Sequence, residues 1–183
     1  LDGVHRSEVH LYSYLACLLC LYKGNTVSSW GYRYAITEHG YPYSSDIDIS
    51  IEALVQSALV VVVKKESGSF LTVTDDGISE FNSLREQSIF KSREPYLNGA
   101  CSSLLALPPG SIRSALLNEQ AIKNAVTLDQ EKLLLQDSEV DLLYEQFEVL
   151  SEALGHNVED LMGPAVAWLT YLSESNKEDS NSA

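Results

Sequence analysis

Residues 59–77 read LVVVVKKESGSFLTVTDDG, and this stretch decides how the first half of the chain folds. Two runs rich in β-branched residues, 59–65 and 70–74, flank a short turn at 66–69 that contains a glycine. Such a pattern predicts a β-hairpin. The Thr-Asp-Asp-Gly at 74–77 then predicts the start of a helix directly after the second strand.

Two helical patterns precede the hairpin. Residues 6–22 are apolar nearly all round at helical spacings, which predicts a buried helix that ends at Lys23-Gly24. The Tyr-rich residues 30–43 are punctuated by glycines and a proline, and they predict a strand-like or irregular segment. Residues 46–59 predict a second amphipathic helix, although its first isoleucines also alternate at strand spacing.

This order of helix, helix, hairpin and helix is that of a winged-helix variant. From residue 94 onward the pattern is helical only. The sequence therefore predicts an α+β, mostly helical protein. We expect a winged-helix domain at 1–92, an all-helical domain at 93–175 and a disordered tail at 176–183.

The most regular helical pattern lies between residues 129 and 154. Apolar residues recur there every seven positions, with others at the second seam position: Leu133, Val140, Phe147 and Leu154, and Leu143 and Leu150. Ser138 and Asp141 have the spacing of a capping box, so the stretch is either one helix or two. A last helix is predicted at 158–172.

Composition and charge restrict the class of protein. Of the 183 residues 45% are hydrophobic, which excludes global disorder, and the net charge is −14. Residues 126–183 hold 13 acidic and two basic residues, a net charge of −11. This half repels nucleic-acid phosphates and suits a basic partner surface. The longest apolar run, 14–22, is too short to span a bilayer, so no membrane association is expected.

The cysteines and histidines give little sign of chemistry. Cys17 and Cys20 lie mid-helix among leucines, and Cys101 stands alone, so packing explains them and a reducing, cytoplasmic location is expected. His39, beside Glu38, is the histidine that merits a test for catalysis, but no nucleophile accompanies it. We expect no enzyme, and no catalytic, cofactor-binding or metal-ligating residue.

Nucleic-acid binding is the harder question. Six basic residues of the first half could face phosphates: Arg33, Lys64, Lys65, Arg85, Lys91 and Arg93. The candidate recognition helix, 46–59, is acidic, however, and offers only Gln56 as a reader of base edges. A protein-docking winged helix is therefore favoured. The cluster Tyr32, Tyr34, Tyr41 and Tyr43 is either core or interface.

Several segments resemble a known family. They are residues 14–22 (YLACLLCLY), 40–44 (GYPYS), 54–60 (LVQSALV), 71–77 (LTVTDDG), 96–97 (YL) and 100–108 (ACSSLLALP). Together the chain, over about residues 5–172, resembles the small middle component of bacterial three-component ABC-ATPase systems of the Lamassu anti-phage and anti-plasmid kind.

The resemblance implies a non-catalytic subunit, kleisin-like or winged-helix-like, that docks an SMC-like ATPase and an effector nuclease. ATP and magnesium would belong to the ATPase, and DNA would be reached only through the complex. No functional position carries over from the resemblance. Two alternatives stay open: a winged-helix transcription regulator, dimeric through the seven-residue repeat, and a small antitoxin or adaptor protein.

Overall fold

The computed structural model of the protein describes residues 3–37, 40–127, 132–155 and 158–181. Within them the chain is α+β and mostly helical, as predicted. The elements in chain order are β1 (Val4–His5), α1 (Arg6–Tyr22), α2 (Val27–Trp30), β2 (Ala35–Ile36), β3 (Pro42–Tyr43), α3 (Ser45–Gln56), β4 (Val60–Lys65), β5 (Gly68–Val73), α4 (Asp75–Arg85), α5 (Ser88–Ser102), a 3₁₀ turn (Ser103–Leu105), α6 (Pro109–Leu116), α7 (Gln120–Thr127), α8 (Asp137–Leu154) and α9 (Met162–Asn181).

Helix α1 has the bounds that the sequence predicts, and it is the most deeply buried element. Its start is closed by a capping box, in which the backbone N–H of His5 donates to the Glu8 carboxylate at 2.8 Å. All of residues 14–22 are buried, including both cysteines. An apolar surface on every side of a helix requires neighbours on every side, and α1 packs on α5, α8 and α9.

The predicted hairpin is confirmed. Strands β4 and β5 pair antiparallel from Val60 opposite Val73 to Lys65 opposite Gly68. Strand β1 adds to the other side of β5, so the sheet order is β1-β5-β4. The predicted helix start is also confirmed, because the Thr74 hydroxyl accepts a hydrogen bond from the Gly77 N–H at 3.1 Å.

Burial resolves the ambiguity at the start of α3. Ile47 and Ile51 are buried, whereas Ile49 between them is 68% exposed. Isoleucines four apart share a helix face, while a strand would have placed all three on one side. The helix therefore begins at Ser45, and the alternation of isoleucines was not a strand signal.

The second half departs from prediction at several helix ends. Helix α5 begins at Ser88, six residues before the predicted start, and Pro95 lies inside it. Helix α8 begins at Asp137, with Gln136 and Glu139 as its capping box, so Leu133 precedes the helix and is half exposed. Residues 128–131, part of the predicted repeat, lie outside the described residues. Helix α9 runs to Asn181, past the predicted end at 172.

Part of the seven-residue repeat of α8 faces the interior of its own chain. Leu143 and Phe147 are buried, and the Phe147 ring contacts the rings of Tyr22 and Trp168 edge to face, at 5.9 and 5.5 Å between centroids. One continuous core joins α1 to residues of α6, α7, α8 and α9. The division into domains at residue 92 stays a prediction.

A glycine sets the distance between α5 and α9. A Cβ added at Gly99 would lie 2.6 Å from the Cβ of Leu161, just before α9. We expect Gly99→Ala to lower the free energy of unfolding by about 1–3 kcal/mol, because the packed neighbours must move apart. Urea denaturation measures this.

The matched control is Gly163→Ala, because a Cβ at Gly163 would meet nothing within 4 Å. This variant should be neutral or more stable by up to about 1 kcal/mol, through helix propensity alone. If Gly99→Ala and Gly163→Ala changed the free energy of unfolding equally, close packing at Gly99 would be contradicted.

Candidate protein-interaction site

A long apolar depression lies between α3 and α5, with α1 beneath it. We call it the α3–α5 groove; its volume is about 630 Å³. Its lining is predominantly apolar: Ile47, Ile51 and Leu54 of α3, Val9 and Tyr12 of α1, and Ile89, Phe90 and Leu97 of α5, with Trp30 and Tyr32 at one end.

The lining residues follow helical spacings on both walls of the groove. On α3 they fall at i, i+4 and i+7, and on α5 at i, i+1, i+4 and i+8, so each helix lends one face to the groove. Leu54, Ile89 and Leu97 are each at least 40% exposed. Isolated exposed leucines need no explanation, but a contiguous apolar surface usually marks an interaction site.

Arg93 places one positive charge on this apolar surface. Its guanidinium stacks on the rings of Trp30 and Tyr32, 5.6 and 5.4 Å from their centroids. Among the residues that the structure describes, no carboxylate pairs with Arg93. The charge is therefore held in position by aromatic rings and is left open to an anionic group from outside.

A polar network fixes α3, one wall of the groove, to α1. Arg6 reaches Asp48 and Glu52 of α3, each at 2.6 Å, and Asp48 also lies 3.4 Å from Nε2 of His10. On its other side, Nδ1 of the buried His10 accepts a hydrogen bond from the Ser44 N–H at 3.2 Å. No sequence pattern indicated a role for Arg6, His10 or Asp48.

His10 is held neutral by this arrangement. Desolvation lowers its pKa, and this effect exceeds the opposing hydrogen bond and charge of Asp48. The geometry agrees, because protonation of Nδ1 would break the hydrogen bond from Ser44. Although desolvation alone would raise it, the pKa of Asp48 is lowered overall by Arg6 and His10.

Helix α4 leaves a second apolar surface beside the hairpin. Of its described residues only Gly77 is buried, and Ile78 and Phe81 are 50% and 54% exposed. Val73 at the end of β5 is likewise half exposed. Ile78 and Phe81 of α4 thus do not enter the core of the chain.

The candidate chemical residues are not brought together. Cys17 and Cys20 are buried within α1, and burial raises the pKa of both thiols, so neither is poised as a thiolate. Cys101 is exposed and distant in sequence from them. Glu38 and His39 lie outside the described residues. In the described part of the chain, no group of three potential ligands is placed to hold a metal ion.

Three of the six basic residues already have partners within the chain. Arg85 pairs with Glu94, and Lys91 with Glu86 at 2.8 Å, while Arg93 lies in the groove. Lys64, Lys65 and Arg33 are exposed. The predicted recognition helix presents Asp46 and Glu52 to solvent, and Gln56 is its last residue.

The four tyrosines of the Tyr-rich segment have different surroundings. Tyr34 belongs to the core, where its hydroxyl lies 2.7 Å from the Ser13 hydroxyl and accepts from Trp30 Nε1 at 2.8 Å. The Arg93 guanidinium lies over the Tyr32 ring, and the Arg113 guanidinium lies over the Tyr41 ring, 3.9 Å from its centroid. The segment is therefore both core and surface.

A larger cavity, about 910 Å³, lies between residues 26–34 and 133–144, and its lining is mixed. The Tyr144 hydroxyl in this cavity donates to the Asn25 carbonyl at 2.7 Å, so this hydroxyl already has a hydrogen-bond partner within the chain.

No helix among the described residues is long and apolar enough to cross a membrane. Comparisons with known protein families, with curated proteins and with solved structures find no match for this chain.

The neutral state of His10 makes stability depend on pH. The pKa of His10 in the folded chain lies below its ordinary value of about 6.5. Near and below pH 6.5, His10 is therefore protonated more in the unfolded chain than in the folded chain. We therefore expect the free energy of unfolding to fall between pH 7.5 and 5.5, and to fall less in His10→Gln. Urea denaturation at both pH values measures the difference. The other histidines are common to both proteins, so an identical pH dependence would contradict the role of His10.

Proposed function

We propose that this chain is a non-catalytic accessory subunit of an SMC-like ATPase complex in bacterial defence against phages and plasmids. It docks the ATPase and an effector nuclease through protein surfaces, and contacts DNA only through the complex. The resemblance of segments such as residues 71–77 to the middle component of Lamassu-type systems supplies the identity of the partners.

The observation that carries the docking role is the α3–α5 groove. Residues 89–101 of α5 extend about 18 Å at 1.5 Å per residue, which matches three turns of a partner helix. A helix with apolar residues at i, i+3 or i+4, and i+7 would lie between α3 and α5, as in other helix-in-groove complexes. Arg93 then selects a partner helix that carries an Asp or Glu toward it.

The N-terminal half is a winged helix in this proposal, with α1 and α3 as its helices and β4–β5 as the wing. The order of elements supports this reading, and so does strand β1 on the far side of β5. An acidic α3 suits protein docking better than DNA reading. The acidic second half, with a net charge of −11 over residues 126–183, favours a basic surface on the complex.

The test is an affinity purification of the tagged chain, co-expressed with its native neighbouring genes and analysed by mass spectrometry. We expect a large coiled-coil ATPase in fixed ratio. The double variant Ile89→Ser, Leu97→Ser should lose at least about 90% of it, because polar groups would have to be desolvated in the interface. Arg93→Glu should weaken recovery for a different reason, the repulsion of the partner's acid.

The matched control is Leu105→Ser, since Leu105 is 85% exposed and lies outside the groove. It should recover the ATPase as the wild type does. Recovery of the chain without an ATPase, together with salt-sensitive binding of a DNA duplex, would contradict the proposal and support the transcription regulator. Tight recovery of one small partner would support the adaptor instead.

A further inference from the structure

Strand β4 is an apolar edge strand. In the sheet order β1-β5-β4 it has a strand neighbour on one side only, within the described residues. Val61, Val62 and Val63 are 42%, 49% and 36% exposed, so valines project into solvent from both faces. Proteins normally shorten, bend or charge such an edge, because it is a template for pairing with another strand.

The hydrogen-bond pattern of the hairpin shows which groups point outward. Thr74 N–H donates to the Leu59 carbonyl at 3.0 Å, so Leu59 and Thr74 occupy a hydrogen-bonding position of the ladder, while the Leu59 N–H itself donates to the Leu54 carbonyl. Such positions alternate along an antiparallel ladder, so Val61 and Val63 also bond to β5. The backbone groups of Val60, Val62 and Lys64 therefore point to the free edge.

We propose that a second copy of this chain pairs antiparallel with β4, about a two-fold axis at Val62. Val62 of one copy then lies opposite Val62 of the other, and Val60 lies opposite Lys64. Both pairs bring outward-pointing backbone groups together, so each exchanges two hydrogen bonds. Val61 lies opposite Val63 in the closer, non-hydrogen-bonded position, where side chains pack best.

The charges near β4 and the symmetry of the contact are both compatible with a dimer of identical chains. The register places Lys64 and Lys65 opposite Val60 and Leu59, so no like charges meet directly. Most of the negative charge lies in residues 126–183, and physiological salt screens repulsion beyond about 8 Å. An isologous contact also uses up the edge of β4 on both copies, so assembly stops at two chains.

Light scattering after size-exclusion chromatography tests this on the purified chain alone, in 0.15 M salt. We expect the wild type at about 100 µM to have twice the chain mass of 20.2 kDa. Val62→Lys should give the mass of one chain, because it puts two lysines directly opposite each other. Val62→Pro should do the same without disturbing the hairpin, since the N–H it removes points outward.

The matched control is Val73→Lys. Val73 is 54% exposed and lies on the same face as Val62, but β5 is an internal strand, so this variant should remain a dimer. Val62→Glu alone should be monomeric, and mixing it with Val62→Lys should restore the dimer through opposite charges. A monomeric wild type, an equal effect of Val73→Lys, or no dimer in the mixture would each overturn the proposal.

This experiment requires no other protein, so its failure would leave the proposed docking of an ATPase in the α3–α5 groove untouched. The groove variants Ile89→Ser and Leu97→Ser should in turn leave the dimer intact, because neither residue lies on β4.

Discussion

Helix α1 is buried on every side, and the packing of the other helices follows from this. A helix whose last nine residues are all buried exposes no face to water, so other elements must cover each side. The chain meets this demand with helices from its second half, mainly α5, α8 and α9. The seven-residue repeat of α8 is used in this way, through Leu143 and Phe147, and is not left free as a coiled-coil seam.

Covering α1 also creates the groove. Helices α3 and α5 both approach α1 but leave a gap between them, whose floor includes Val9 and Tyr12. The gap persists because α3 is held by charges as well as by apolar contacts: Arg6, Asp48 and the neutral His10 fix its first turn to α1. A rigid wall lowers the entropic cost of binding, since less must be ordered when a partner arrives.

The sequence predicted elements better than it predicted surfaces. The bounds of α1 and the presence of the hairpin followed from local patterns, namely apolar runs and a Gly-containing turn, although β5 begins at Gly68, two residues before the predicted strand. The start of α5 did not, because Pro95 favours the first turn of a helix and here lies inside one. The groove was likewise not predicted: Ile89 and Arg93 lie before the predicted helix start at residue 94, and only the fold shows that they and Leu97 line one surface. His10 and Asp48 are 38 residues apart, and no spacing rule joins them.

Docking of the ATPase in the α3–α5 groove would slow hydrogen–deuterium exchange in the helices that form the groove. Exchange would be measured on the chain alone and on its purified complex with the co-expressed ATPase. We expect slower exchange in α3, in α5 and in the segment around Trp30 within the complex. Protection confined to the exposed face of α8, around Leu142 and Val149, with α3 and α5 unchanged, would contradict docking in the groove.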